Sequence, residues 1–190
     1  MKITESFYAP SRKEWRAWLK KHHKIKKEIW LIYYKKDSGK SRVPYNDAVE
    51  EALCFGWIDS TIKTVDKESF AQRFSPRNPK SFWSEPNLER VRFLTKQGLM
   101  TKAGLDILDQ SHHKHRLKKK PVTVAADIKK ALMAAKPAWT NYQKFPEGYR
   151  RIRIGWIEAA RHVPKTFEQR LKHFVKMTQK NKRYGMMEKK

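Results

Sequence analysis

The stretch WIDSTIKTVDKESFAQRFS, residues 57–75, decides the fold. Two runs rich in β-branched and aromatic residues, Trp57 to Val65 and Ser69 to Ser75, are joined only by Asp66-Lys67-Glu68. So short a connection predicts an antiparallel hairpin. Side chains alternate along a strand, so Trp57, Asp59, Thr61 and Lys63 should share one face, and Ile58, Ser60 and Ile62 the other. With the turn centred near Lys67, Asp59 falls opposite Ser75 and Thr61 opposite Arg73. Asp59 and Arg73 then become diagonal neighbours on one face. A slip of one residue would separate them.

Working outward toward the N-terminus, Pro44 to Asn46 opens a helix with an apolar face of Val49, Ala52 and Leu53, and Gly56 stands where a C′ glycine would end it. Glu28 to Lys35 (EIWLIYYK) reads as a buried strand, closed by Ser38-Gly39. Ser11-Arg12-Lys13-Glu14 is a capping box, and Trp15, Trp18, Leu19 and His22 after it fall on one helical face. On the other side, SPRNPKSFWSEPN (75–87) is a loop. Ser84 or Glu85 starts a helix stopped by Gly98, and Thr101 caps a shorter one with Leu105 and Leu108 inward.

Residues 111–122 carry no apolar periodicity and read as a basic linker. Beyond them Ile128 and Leu132, then Trp139 and Tyr142, then Ile152, Trp156 and Ala160, then Leu171, Phe174 and Val175 mark four amphipathic helical segments. Prolines 137, 146 and 164 punctuate them near their starts, where proline is tolerated. The expected architecture is α+β: helices on a small antiparallel sheet of about three strands over residues 1–110, the linker at 111–122, a helical module at 123–185 and a tail at 186–190.

Composition narrows the function. The chain has 44 Lys and Arg against 19 Asp and Glu, a formal +25, and residues 111–190 hold 22 of those basic side chains but only 5 acidic ones. That asymmetry points to an anionic ligand or acidic surface, with nucleic acid as one class of partner. A merely solvated surface is the competing explanation. A lone cysteine, Cys54, excludes an internal disulfide framework and a thiolate zinc cluster. It lies in an apolar helix end with no histidine between Lys24 and Ser111, which argues for a buried structural thiol rather than a nucleophile. His112, His113 and His115 sit in a basic tract without a carboxylate, so no metal is expected; seven glycines and no phosphate-binding loop argue against a nucleotide cofactor. No window reaches the ~20 apolar residues of a membrane span, and the opening residues lack an export-type apolar run, so a cytoplasmic protein is expected.

The hairpin and its loop carry the candidate site: Trp57, Asp59, Lys63, Arg73, Arg77, Ser81, Trp83 and Asn87. Arginine offers a planar fork to carboxylate or phosphate, and a nearby carboxylate can orient it. The plainer alternative is a cross-strand ion pair on a half-exposed sheet, worth little. Two further readings stand beside the binding site. One is nonspecific nucleic-acid binding through Arg150, Arg151, Arg153, Arg170, Lys172, Lys176, Lys180, Lys182 and Arg183. The other is an enzyme using Asp59 as acid or base beside Arg73.

At EALCFGWIDS (51–60), QRFSPR (72–77) and SFWSEPN (81–87) the chain resembles the YdeI/OmpD-associated, or bacteriocin-protection, family. The likeness continues through MTKAG (100–104). It resumes at Ala131-Leu132, Tyr149-Arg150, WIEAAR (156–161) and Thr166. The resemblance implies envelope stress tolerance and protection against antimicrobial peptides, with an outer-membrane porin as associate. It brings no catalytic residues with it. The leading expectation is a non-enzymatic stress-protection protein with an anion-binding surface. Where relatives tend to have Thr-Arg-x-Arg/Lys-Arg, this chain reads Thr166-Phe167-Glu168-Gln169-Arg170, so the arginine cluster expected there is thinned.

Overall fold

The computed structural model describes residues 2–111 and 121–185. Its architecture is α+β, with one sheet followed in sequence by C-terminal helices. The chain divides into two units, Met1–Trp83 with Arg90–Leu117 and Ser84–Glu89 with Lys118–Lys190. The expected histidine tract and most of the expected linker and tail lie outside the described residues.

The first unit is built on strands β1 (Ser6–Tyr8), β2 (Ile29–Tyr34), β3 (Trp57–Thr64) and β4 (Ser69–Pro76), in the order β1-β2-β4-β3. The sheet is mixed rather than purely antiparallel, because β1 runs parallel to β2. Three residues are too short a strand to leave a periodic signal, and the capping serine of the next helix follows almost at once. That is why sequence reading expects three strands. Ile29, Leu31 and Tyr33 of β2 pair with Phe74, Gln72 and Phe70 of β4, so these six share a face.

Helix α1 (Arg12–His22) buries Trp15, Trp18 and Leu19. Ser11 caps it: its Oγ accepts from the Glu14 N–H at 3.3 Å and donates to the Glu14 carboxylate at 2.8 Å. Trp15 lies 5.2 Å from Phe74 and 5.3 Å from Trp18 between ring centroids, which fixes α1 on the sheet. Helix α2 (Tyr45–Cys54) packs beside it with two buried carboxylates, Glu50 and Glu51. Burying a charge is costly unless it is paired. Arg12 supplies bonds to Glu51 at 2.6 Å and Glu50 at 3.0 Å, and Arg16 donates to Glu51 at 2.5 Å and to the Leu99 carbonyl at 3.0 Å.

Helices α3 (Glu85–Lys96) and α4 (Lys102–Asp109) follow. α4 turns Gly104 and Leu108 inward; Leu105, expected inside, is 37% exposed, because the inward place one turn earlier belongs to glycine. Thr101 donates to the Cys54 carbonyl through both its N–H (3.1 Å) and its hydroxyl (2.6 Å). Cys54 is buried as expected, and burial pushes its thiol pKa up to about 11.

The second unit holds α5 (Ala126–Ala134), α6 (Ala138–Lys144), α7 (Glu147–Glu158) and α8 (Pro164–Gln179), around a core that includes Ile128, Leu132, Tyr142, Tyr149, Ile157 and Phe174. Ser84–Glu89, which enters the first turn of α3, belongs to this unit; within it Arg151 reaches Glu89 at 2.8 Å and Glu147 at 2.5 Å. No helix among the described residues is long and apolar enough to cross a membrane.

Candidate functional site

The hairpin register creates the site. Beside the turn, Thr64, Lys63 and Ile62 pair with Phe70, Ala71 and Gln72, as a turn centred on Lys67 requires. Asp66 closes that turn by accepting from the Glu68 and Ser69 N–H groups at 2.8 and 2.7 Å. Farther out, Asp59, Ile58 and Trp57 pair with Phe74, Ser75 and Pro76, one residue short of the expected register. Ser60 and Thr61 together oppose Arg73, which is a β-bulge. The extra residue carries Asp59 to the face of Gln72 and Phe74, and leaves Lys63 on the opposite face with Ala71. The expected Asp59–Arg73 neighbourhood is therefore corrected. Arg73 faces the other side and pairs with Glu28 at 2.7 Å.

On its actual face Asp59 Oδ2 accepts from the Tyr45 hydroxyl and from Gln72 Nε2, each at 2.8 Å. Beside them opens a pocket of about 540 Å³, lined by Tyr33, Arg42, Pro44, Tyr45, Ile62, Phe70 and Gln72. Its floor is the pair Tyr33 and Phe70, stacked at 5.2 Å with ring planes 5° apart. The Arg42 guanidinium lies 6.0 and 5.9 Å from the centroids of these rings and makes no hydrogen bond or ion pair among the described residues. Pro44 and Tyr45 are the N-cap and first residue of α2, and no side chain caps that end. Free N–H groups and the helix dipole make such an end favourable to anions.

Burial pushes the Tyr33 phenol above its ordinary pKa, with Tyr45 and Asp59 adding to the effect, and its hydroxyl finds no partner among the described residues. Burial, reinforced by the bond to Asp59, pushes Tyr45 up to about 12. Both phenols are protonated at neutral pH. Two buried arginines feel the same carboxylate. Arg77 donates to the Phe82 carbonyl at 2.6 Å and lies 3.9 Å over the Trp83 ring; Arg90 donates to Asn46 at 2.9 Å. Burial lowers both guanidinium pKa values, and Asp59 opposes that loss in each.

The eight expected residues are thus dispersed. Asp59 stands behind the pocket. Trp57 is core, donating to the His23 carbonyl at 3.1 Å, and Arg77 with Trp83 forms a buried stack. Lys63 and Arg73 occupy the far face, Ser81 is exposed in the loop, and Asn87 lies in the segment that groups with the second unit. The pocket residues were missed for a physical reason. Tyr33 and Phe70 read as strand core, Arg42 carries no motif, and Gln72 is overshadowed by Arg73 and Arg77, which follow it in the QRFSPR run.

Two family models match the chain. Residues 7–107 match a domain of unknown function, DUF8412, and residues 121–181 match the model described as bacteriocin-protection, YdeI or OmpD-associated. The likeness to the latter family is therefore carried by the helical module, and the α+β half matches a model of its own. Neither a curated protein nor a solved structure matches the chain significantly.

Proposed function

For a chain that belongs to the DUF8412 family and carries a YdeI/OmpD-associated module, we propose a non-enzymatic stress-protection role in which the α+β unit binds a small, flat, anionic molecule. The observation that carries this reading is Arg42. A guanidinium without a counter-charge, over a stacked Tyr33–Phe70 floor and beside an uncapped helix N-terminus, suits an aromatic carboxylate or aryl phosphate. The volume, about 540 Å³, falls in the range of small-molecule pockets, and Pro44 and Ile62 supply further apolar wall.

Binding is favoured over catalysis by the state of the titratable groups. Tyr45 and Tyr33 hold their protons at neutral pH, so neither is a base there. Asp59 Oδ2 is occupied by two donors and orients Tyr45 and Gln72. Asp59 is in this reading a positioning residue.

The test is calorimetric titration with a panel of aromatic carboxylates and aryl phosphates, with their uncharged amides and alcohols as controls. Saturable one-site binding of acids, but not of the controls, is expected. Arg42→Gln should weaken it at least tenfold while leaving the thermal midpoint unchanged, since a guanidinium–carboxylate contact is worth ~1.5–3 kcal/mol. Equal binding of acids and uncharged controls would reject an anion site.

A further inference from the structure

We propose that the helical unit binds the phosphate backbone of nucleic acid, independently of sequence, through a lysine stripe on α8. Residues 121–185 contain nine lysines, six arginines and four carboxylates. Three of the carboxylates are taken by arginine: Glu147 by Arg151, and Asp127 and Glu158 by Arg161. Arg153 is enclosed by the rings of Tyr149, Trp156 and Tyr184, and Arg170 sits 4.7 Å over Trp156. These four arginines thus serve the fold. All nine lysines are exposed, and none makes an ion pair among the described residues.

Those lysines are not scattered on α8. At 3.6 residues per turn, Lys165, Lys172, Lys176 and Lys180 fall within an arc of roughly 80°. The arc is opposite the side that buries Phe174 and Thr178. The stripe is ~22 Å long at 1.5 Å per residue, and its lysines at 172, 176 and 180 recur every ~6 Å. Lys136 adjoins its C-terminal end, where its carbonyl accepts from Gln179 Nε2 at 3.2 Å.

A rigid row of mobile ammonium groups fits a linear polyanion, and lysine acts toward phosphate as a point charge without base readout. A bilayer fits less well. The apolar residues of α8 face the core, and the helix offers no exposed large hydrophobic residue to insert. Base stacking has no exposed aromatic among the described residues of this unit, so duplex and sequence tolerance follow.

The experiment uses the full chain and fluorescence anisotropy with a short labelled DNA duplex of mixed sequence, over a salt series. Four phosphate contacts give a slope of log Kobs against log salt of about −3.6. Lys172→Glu with Lys176→Glu should weaken binding at least tenfold at low salt and flatten the slope by about 2, without changing circular dichroism. Lys129→Glu with Lys130→Glu on α5 makes the same change in net charge off the stripe and should do much less. Equal loss from both pairs would overturn the stripe in favour of bulk charge. Binding to vesicles of phosphatidylglycerol in phosphatidylcholine, with no binding to the duplex, would overturn nucleic acid as the partner.

Discussion

A Cβ on Gly104 would stand 2.4 Å from the Cys54 carbonyl oxygen and 2.7 Å from that of Leu53, both backbone atoms that cannot swing aside. Gly104→Ala should therefore lower unfolding stability by about 2–3 kcal/mol, read as a fall in the urea midpoint. Gly56, at φ +76°, is fixed from two sides, by its left-handed backbone and by Ala103 and Ile107. These glycines belong to the quoted runs EALCFGWIDS and MTKAG, so much of what looks like functional signature is packing between α2 and α4. A second residue-scale prediction concerns pH. The folded pKa of Tyr45 is raised to about 12 from an ordinary value near 10. Its contribution to stability is fully present below about pH 10 and lost as pH rises toward 12. Denaturant midpoints of wild type should fall more steeply across that window than those of Tyr45→Phe; parallel curves would contradict the Tyr45–Asp59 bond. Single residues were legible where one local rule governed them, as with the Ser11 cap and the buried Cys54. They were not legible where a partner distant in sequence decided, as with Gln72, thirteen residues from the Asp59 carboxylate it serves.

At the scale of elements, alternation and turn length gave both hairpin strands and the correct pairing for Ile62 to Thr64. Alternation assumes one residue per step on each strand. Ser60 and Thr61 break that assumption, and nothing in their residue types announces it, since serine and threonine also suit a regular strand. The outcome is a change of face for Asp59, from Arg73 to Gln72 and the pocket. Deleting Thr61 should restore one-to-one pairing with Ser60 opposite Arg73 and Asp59 still opposite Phe74, so Asp59 keeps Tyr45 and Gln72 and the aromatic acids still bind. Loss of binding in a folded Thr61 deletion, judged by its amide spectrum, would contradict that register. The short β1 strand was illegible for a simpler reason: its three residues gain their meaning from pairing with Trp30 to Ile32.

At the scale of the whole molecule, the charge asymmetry was plain in the sequence, while its division of labour was not. In the helical unit arginines are consumed by carboxylates and rings, and lysines are left facing water. In the α+β unit the clamp of Arg12 and Arg16 on Glu50 and Glu51 follows the same rule, and Arg42 is the exception that lines a pocket. The two family matches divide the chain in a similar way, 7–107 and 121–181. The central claim rests on Arg42, and the measurement that tests it most directly is the paired calorimetric titration of wild type and Arg42→Gln with the aromatic acids. The account predicts a single saturable site in the wild type and at least tenfold weaker binding in a variant of unchanged thermal midpoint. Identical affinities in the two proteins, or no acid in the panel binding the wild type, would contradict it.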